Sequence, residues 1–444
     1  MKLILIAVLL MSACCTGRAA MPHQREALRW PKFETYECSD GQRRLLLERS
    51  SARLTRVGIV VRAPGLYAGI AGDLAWLATR YALAGTLRHT KAELDEAQNE
   101  FGSLIVTQMF GNSVIMWLDV LPEDSDRAAA LLLEVVREPR LDPEVFDGLT
   151  GRLSKRQERT RQSSSSMAYR MAASALSGQQ MPFATPSREE VVAFIKTNWI
   201  PNNISLVQLG QHVRLDAECT APKGALIEST PERVALSRTS GVRKAIVVQS
   251  PSNTESAYVL MLIRPQHGLP AADADLFSQA YSGNPGSALF KKVRRERSYS
   301  YGIWSVTERV GTADYWLKVD GEIKPEQIDL ALKDMFTVMH DLATSDNSSR
   351  AARAYSSLLW QHSSMLDNDT AFSQELADSL LWGVMPGSTP LPADDARHVR
   401  DIARTFYDGD IVVVIAGQGD TLEDKVRKSL PEGFSVEVVP MPSK

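Results

Sequence analysis

Apolar positions recur along this chain with two different periods. In GIAGDLAWLATRYALAGT (69–86), Leu74, Leu77, Ala78 and Tyr81 fall at i, i+3, i+4 and i+7. That spacing predicts a helix with one buried face, closed by Gly85. SLIVTQMFGNSVIMWLDV (103–120) instead alternates and turns back at a Gly-Asn pair, which predicts a hairpin and antiparallel pairing. RVGIVVRAPG (56–65) and AYVLMLIRPQHG (257–268) are continuous apolar runs that read as strands, each ending near a glycine before a helix.

The pattern occurs twice. SALSGQQMPFATPSREEVVAFIKTNWIPNNISLVQLGQ (174–211) reads as helix, MPFATP loop, amphipathic helix, then a strand ending in LGQ. SLLWGVMPGSTPLPADDARHVRDIARTFYDGDIVVVIAGQ (379–418) repeats that order with MPGSTP and AGQ. The MPxxTP elements begin at 181 and 385, and the two GQ-ending triplets at 209 and 416, offsets of 204 and 207 residues. Near-equal offsets at separate landmarks predict a duplicated unit of roughly 200 residues. HVRLDAECTAPKGALIESTPERVA (212–235) has two prolines and little periodicity, and reads as the linker. The expected fold class is α+β: two tandem homologous domains, 30–211 and 236–440, each a mainly antiparallel sheet flanked by helices.

Composition narrows the picture further. With 44% hydrophobic and 23% charged residues over 444 positions, the chain is globular and long enough for more than one core. A net charge of −3 from 50 basic and 53 acidic residues gives no strong field for nucleic acid or an acidic membrane. Lys2, the apolar run LILIAVLLM (3–11) and SACCTGRAA have the layout of a signal peptide over residues 1–20. MSAC (11–14) approximates a lipobox, which would make Cys14 a lipid-bearing N-terminus, with Met in place of the usual Leu. No later stretch is apolar enough to span a membrane. An exported, periplasmic protein is expected. Cys38 and Cys219 remain after the signal region; export permits them to pair, and two free thiols is the alternative.

The order strand, helix, Gly-Thr, acidic helix (KAELDEAQNEFGSL, 91–104) and LDVLPEDSDRAAALLLEVV (118–136) resembles the first domain of the M16 (pitrilysin/insulinase-like) metallopeptidases. The resemblance extends over nearly the whole chain, duplication included. In that family the helix before Gly-Thr carries HxxEH, whose two His bind zinc and whose Glu activates water, with a third ligand further on. Counting back from Gly85-Thr86 places Trp76, Thr79 and Arg80 at those positions. The third-ligand position falls near Lys155 or Arg156, in the basic run GRLSKRQERTRQ, which by itself reads as a solvated helix face. Indole and guanidinium are not zinc ligands, and none of the seven His form an i, i+4 pair. The resemblance therefore implies no metal and no cofactor in this chain.

GSALFKKVRRERSYSYGIWSV (286–306) resembles the family's second-domain signature, in which an Arg and a Tyr hold substrate over zinc formed elsewhere. They map to Arg294 and Tyr301; the loop reads SGNPGS instead of a glycine run, and Tyr299 takes a position usually aliphatic. Some peptidases of this family divide the work between two subunits that close as half-shells, one with HxxEH and one with the Arg/Tyr pair. By resemblance this chain is the second kind: inactive alone, partnered by an HxxEH subunit that brings the zinc, with a peptide substrate and no nucleic acid. SLIVTQ (103–108) stands where the family offers an edge strand to peptide. The alternative is a pseudopeptidase that binds peptide or scaffolds an assembly, as a homodimer or otherwise. IVVVIAGQGD (411–420) reads as a strand and the turn into the closing helix, not a dinucleotide site, and SSSS (163–166) reads as a loop.

Overall fold

The computed structural model describes residues 31, 33–62, 72–110, 113–178, 183–211, 219–220, 241–249, 256–310, 315–382, 395–417 and 421–440. Residues 1–30, where a signal peptide is expected, the Gly-Asn pair, most of the expected linker and the MPGSTP sequence lie outside the described residues, as do the start of MPFATP and residues 418–420. Residues 31–444 form one compact unit.

The first half supplies the strands β1 (Glu34–Cys38), β2 (Arg43–Glu48), β3 (Thr55–Arg62), β4 (Val106–Phe110), β5 (Ser113–Val120), β6 (Ile204–Gly210) and β7 (Cys219–Thr220). Its helices are α1 (Gly72–Ala82), α2 (Lys91–Glu100), α3 (Ser125–Arg137), α4 (Pro143–Gln162), α5 (Ser164–Ser177) and α6 (Arg188–Asn198). The second half supplies β8 (Arg243–Gln249), β9 (Ala257–Arg264), β10 (Ile303–Arg309), β11 (Tyr315–Ile323), β12 (Asp410–Gly417) and β13 (Ser435–Pro440). Its longer helices are α7 (Ala271–Tyr281), α8 (Ile328–Thr344), α9 (Ser348–Leu366), α10 (Asp369–Trp382), α11 (Ala396–Tyr407) and α12 (Leu422–Ser429).

The duplication is plain in the sheets. The first runs β4-β5-β3-β6-β2-β1-β7 and the second β10-β11-β9-β12-β8-β13, so the first five strands of each follow one order. Pairing is antiparallel across β4, β5, β3 and β6 and across β10, β11, β9 and β12. The next strand in each sheet then joins in parallel, β2 on β6 and β8 on β12. The sheets part company at the far edge, where β1 is antiparallel to β2 but β13 is parallel to β8. The expected α+β class with mainly antiparallel sheets is the observed one. Part of the expected linker is strand β7, which sets Cys219 opposite Cys38 on β1; Cys38 is disulfide-bonded.

Each central strand is covered on both faces, which is why it reads as an unbroken apolar run. In β12, Ile411, Val413 and Ile415 face a core with Phe277, Leu332 and Phe406, while Val412, Val414 and Ala416 face another containing Ala168, Ala172, Ala173 and Leu176. Those four residues belong to α5, which lies between β5 and β6 of the first sheet in sequence yet packs on the second sheet. In return, α10 of the second half packs on β6 and β3 of the first. Arg49 seals that crossing, donating to the Leu366 carbonyl at 2.9 Å and lying 5.0 Å from the Phe372 ring.

SSSS is not a loop. Ser163 is the N-cap of α5, its hydroxyl accepting from the Ser166 N–H at 3.3 Å, and residues 164–166 are the first turn. A serine run satisfies exposed helix-start donors as readily as it forms a loop.

Candidate functional site

Two separate regions hold the residues singled out in the sequence. The first is the α1–α4 corner. On α1, Leu77, Ala78 and Tyr81 are fully buried and Leu74 is half-buried, so the predicted apolar face is the packed one. Thr79 is 2% exposed, and its hydroxyl donates to the Ala75 carbonyl at 2.8 Å, one turn back. Trp76 is half-buried against the edge of that core and Arg80 is exposed, with the Arg80 guanidinium 5.8 Å from the Trp76 ring. Arg156 on α4 approaches the same ring, also at 5.8 Å. Lys155 is exposed.

Arg156 is positioned by Asp73 in the first turn of α1. Asp73 is 2% exposed, accepting from Arg156 Nη1 at 2.7 Å and from Gln157 Nε2 at 3.0 Å. A buried carboxylate requires such donors. Residues 152, 156, 159 and 163 share one face of α4 and its end, at i, i+4, i+7 and i+11. Trp76, Arg80, Arg152, Arg156, Arg159 and Ser166 line a cavity of about 590 Å³ there. Zinc does not suit these donors: the Thr79 hydroxyl is spent on the helix backbone, indole offers no lone pair, and guanidinium repels a dication.

The second region is the loop after α7. A helical turn, Ala288–Phe290, runs into a π-helix, Lys291–Glu296, which ends before Ser298 in a left-handed conformation, φ 55°. Arg294 is exposed; its Nη1 donates to the Tyr301 carbonyl at 2.6 Å, and its guanidinium lies 5.8 Å from the Phe290 ring. Tyr301 is 90% exposed. The two residues paired in the sequence are thus linked by a hydrogen bond, through the tyrosine's backbone. Beneath them Phe290 packs on Trp304, centroids 4.6 Å apart.

Tyr299 has a structural reason to be Tyr and not aliphatic. Its ring is buried and its hydroxyl donates to Asp334 Oδ2 at 3.1 Å, an oxygen that Arg297 Nε also reaches at 3.1 Å. Burial first, and then the Asp334 charge, push the Tyr299 hydroxyl well above the ordinary tyrosine range, so it stays a donor. The loop is pinned to α8 on one side and exposes Arg294 and Tyr301 on the other.

The expected edge strand is β4, at the open end of the first sheet, with Leu104 and Val106 exposed. It starts at Val106, later than the run 103–108 suggested, because the Ile105 N–H is taken by Gln98 Oε1 at 2.9 Å. Sequence reasoning passed over Asp73, and it read Arg152 and Arg159 only as part of a solvated helix face. The four-and-three spacing of the arginines on α4 was the available signal.

No family model matches the sequence, and no curated protein matches it. Solved structures do match its fold. A peptidase M16 inactive domain from Pseudomonas fluorescens superposes with a TM-score of 0.69 at 16% identity, over 87% of this chain and 98% of that one. A protease from Helicobacter pylori gives 0.69 at 13% identity, over 88% and 100%. A peptidase described as M16-like from Alicyclobacillus acidocaldarius gives 0.68 at 12%, over 88% and 100%. The architecture is a duplicated α+β sheet fold. It is the fold of M16-type peptidases, one domain named inactive among them.

Proposed function

We propose that this chain is the zinc-free subunit of an exported, periplasmic, heterodimeric M16-type peptidase. In this reading Arg294 and Tyr301 bind peptide substrate and stabilise the transition state at a site completed by an HxxEH-bearing partner. One observation carries the proposal: Arg294 and Tyr301 are linked and exposed on a pinned loop, while Trp76, Thr79 and Arg80 cannot hold zinc. Zinc in the partner would supply the polarising charge and the activated water. The guanidinium fork and the phenol would donate to the oxygen of the scissile carbonyl as it gains charge, worth roughly 10²–10³ in rate for each donor. The β4 edge would hold the peptide main chain by strand addition. The N-terminal segment would direct export, with Cys14 as a lipid anchor.

The direct test is to tag the chain, recover it from the envelope of its native cell, and identify by mass what accompanies it. A similar-sized partner containing HxxEH is the expected result. Recovery of the chain only with itself would overturn the heterodimer and leave a peptide-holding pseudopeptidase.

A further inference from the structure

The α1–α4 corner is more than a place where metal ligands are missing. Four arginines, Arg80, Arg152, Arg156 and Arg159, line one cavity with Trp76. Among them Arg156 alone has a carboxylate partner in the described structure, Asp73. Arg80 and Arg152 are exposed side chains, and neither makes an ion pair among the described residues. Holding like charges around one hollow is unfavourable unless solvent or an anion relieves it.

The hollow does not end there. A second cavity, of about 440 Å³, shares Arg156, Thr160 and Ser166 with the first. It runs past Asp73 and Tyr169 to Tyr258, Lys318 and Asp320 on the second sheet. There the acidic groups are engaged: Asp320 accepts from the Tyr258 hydroxyl and lies 3.7 Å from Lys318 Nζ. The uncompensated charge is concentrated at the arginine end.

We propose that this trough binds an acidic peptide segment, with its carboxylates on Arg80, Arg152 and Arg159. Guanidinium forks match carboxylates bidentately, and the Ser166 hydroxyl adds a neutral hydrogen-bonding group to the lining. Two features favour a peptide over a small free anion. The connected cavities are long compared with a single oxyanion, and the Trp76 indole offers an apolar wall that a bare phosphate would not use. This assignment rests on the reading of the chain as a peptide-handling subunit and specifies the substrate class: acidic peptides.

The test uses the full mature chain without a partner. Calorimetric titration with a short polyglutamate peptide should show binding that weakens as salt is raised. The matching polyglutamine should not bind. Because Arg80 and Arg152 are exposed, R80A/R152A should keep the wild-type melting temperature and lose roughly tenfold or more in polyglutamate affinity. Absence of polyglutamate binding, or equal affinity in R80A/R152A, overturns the proposal. Inorganic phosphate binding as tightly as polyglutamate also overturns it, marking a small-anion site. Since binding is read on the isolated chain, failure here leaves the role of Arg294 and Tyr301 standing. Conversely, a silent Tyr301 substitution in a cleavage assay leaves the trough standing.

Discussion

Asp334 shows how one buried side chain can set the posture of an exposed loop. It is 4% exposed and receives both the Tyr299 hydroxyl and Arg297. D334A would leave the Tyr299 hydroxyl buried without its acceptor, a cost of about 1–3 kcal/mol. Arg297, 40% exposed, can turn to water and adds little. D334N keeps an acceptor oxygen and should recover part of the loss. Chemical denaturation of the two variants checks this, and equal stability of D334A and wild type would contradict it. The departure of Tyr299 from the family's aliphatic residue could be seen in the sequence. Its reason could not, because Asp334 is 35 residues away and on another element.

At the scale of elements, the reciprocal crossing of α5 and α10 joins the halves. Ala168, Ala172 and Ala173 are at most 1% exposed, and their small side chains let α5 lie closely on β12 and β9. A172L should therefore overpack that contact and cost about 1–3 kcal/mol. Because α5 closes the second sheet while being chained to the first, unfolding should remain a single calorimetric transition, shifted downward. Two separated transitions in the variant would mean that the crossing does not couple the halves. The periodicity of α1 was legible, as were the repeated order of elements and the offsets that reveal duplication. The crossing was not: an apolar stripe states that a helix is covered, without naming the sheet that covers it. The serine cap of α5 was missed for a related reason, since serine serves loop and helix start alike.

Over the whole molecule, the two copies of one sheet order carry different chemistry. The first half has arginines around Trp76 where the resemblance places a zinc motif; the second presents Arg294 and Tyr301. The motif residues were legible because they sit at fixed distances from Gly85-Thr86 and within one short signature. The arginine trough was hidden because its walls come from α1, α4, α5 and the second sheet, and only folding brings them together. The central claim is that this chain completes another subunit's site and has no peptidase activity alone. It is tested most directly by measuring peptide cleavage for the isolated chain, for the chain with its HxxEH partner, and for that pair carrying Y301F or R294A. The account predicts no cleavage by the chain alone, turnover by the pair, and a loss of roughly 10²–10³ for each substitution with assembly intact. Turnover by the isolated chain, or an unchanged rate in both variants, would contradict it.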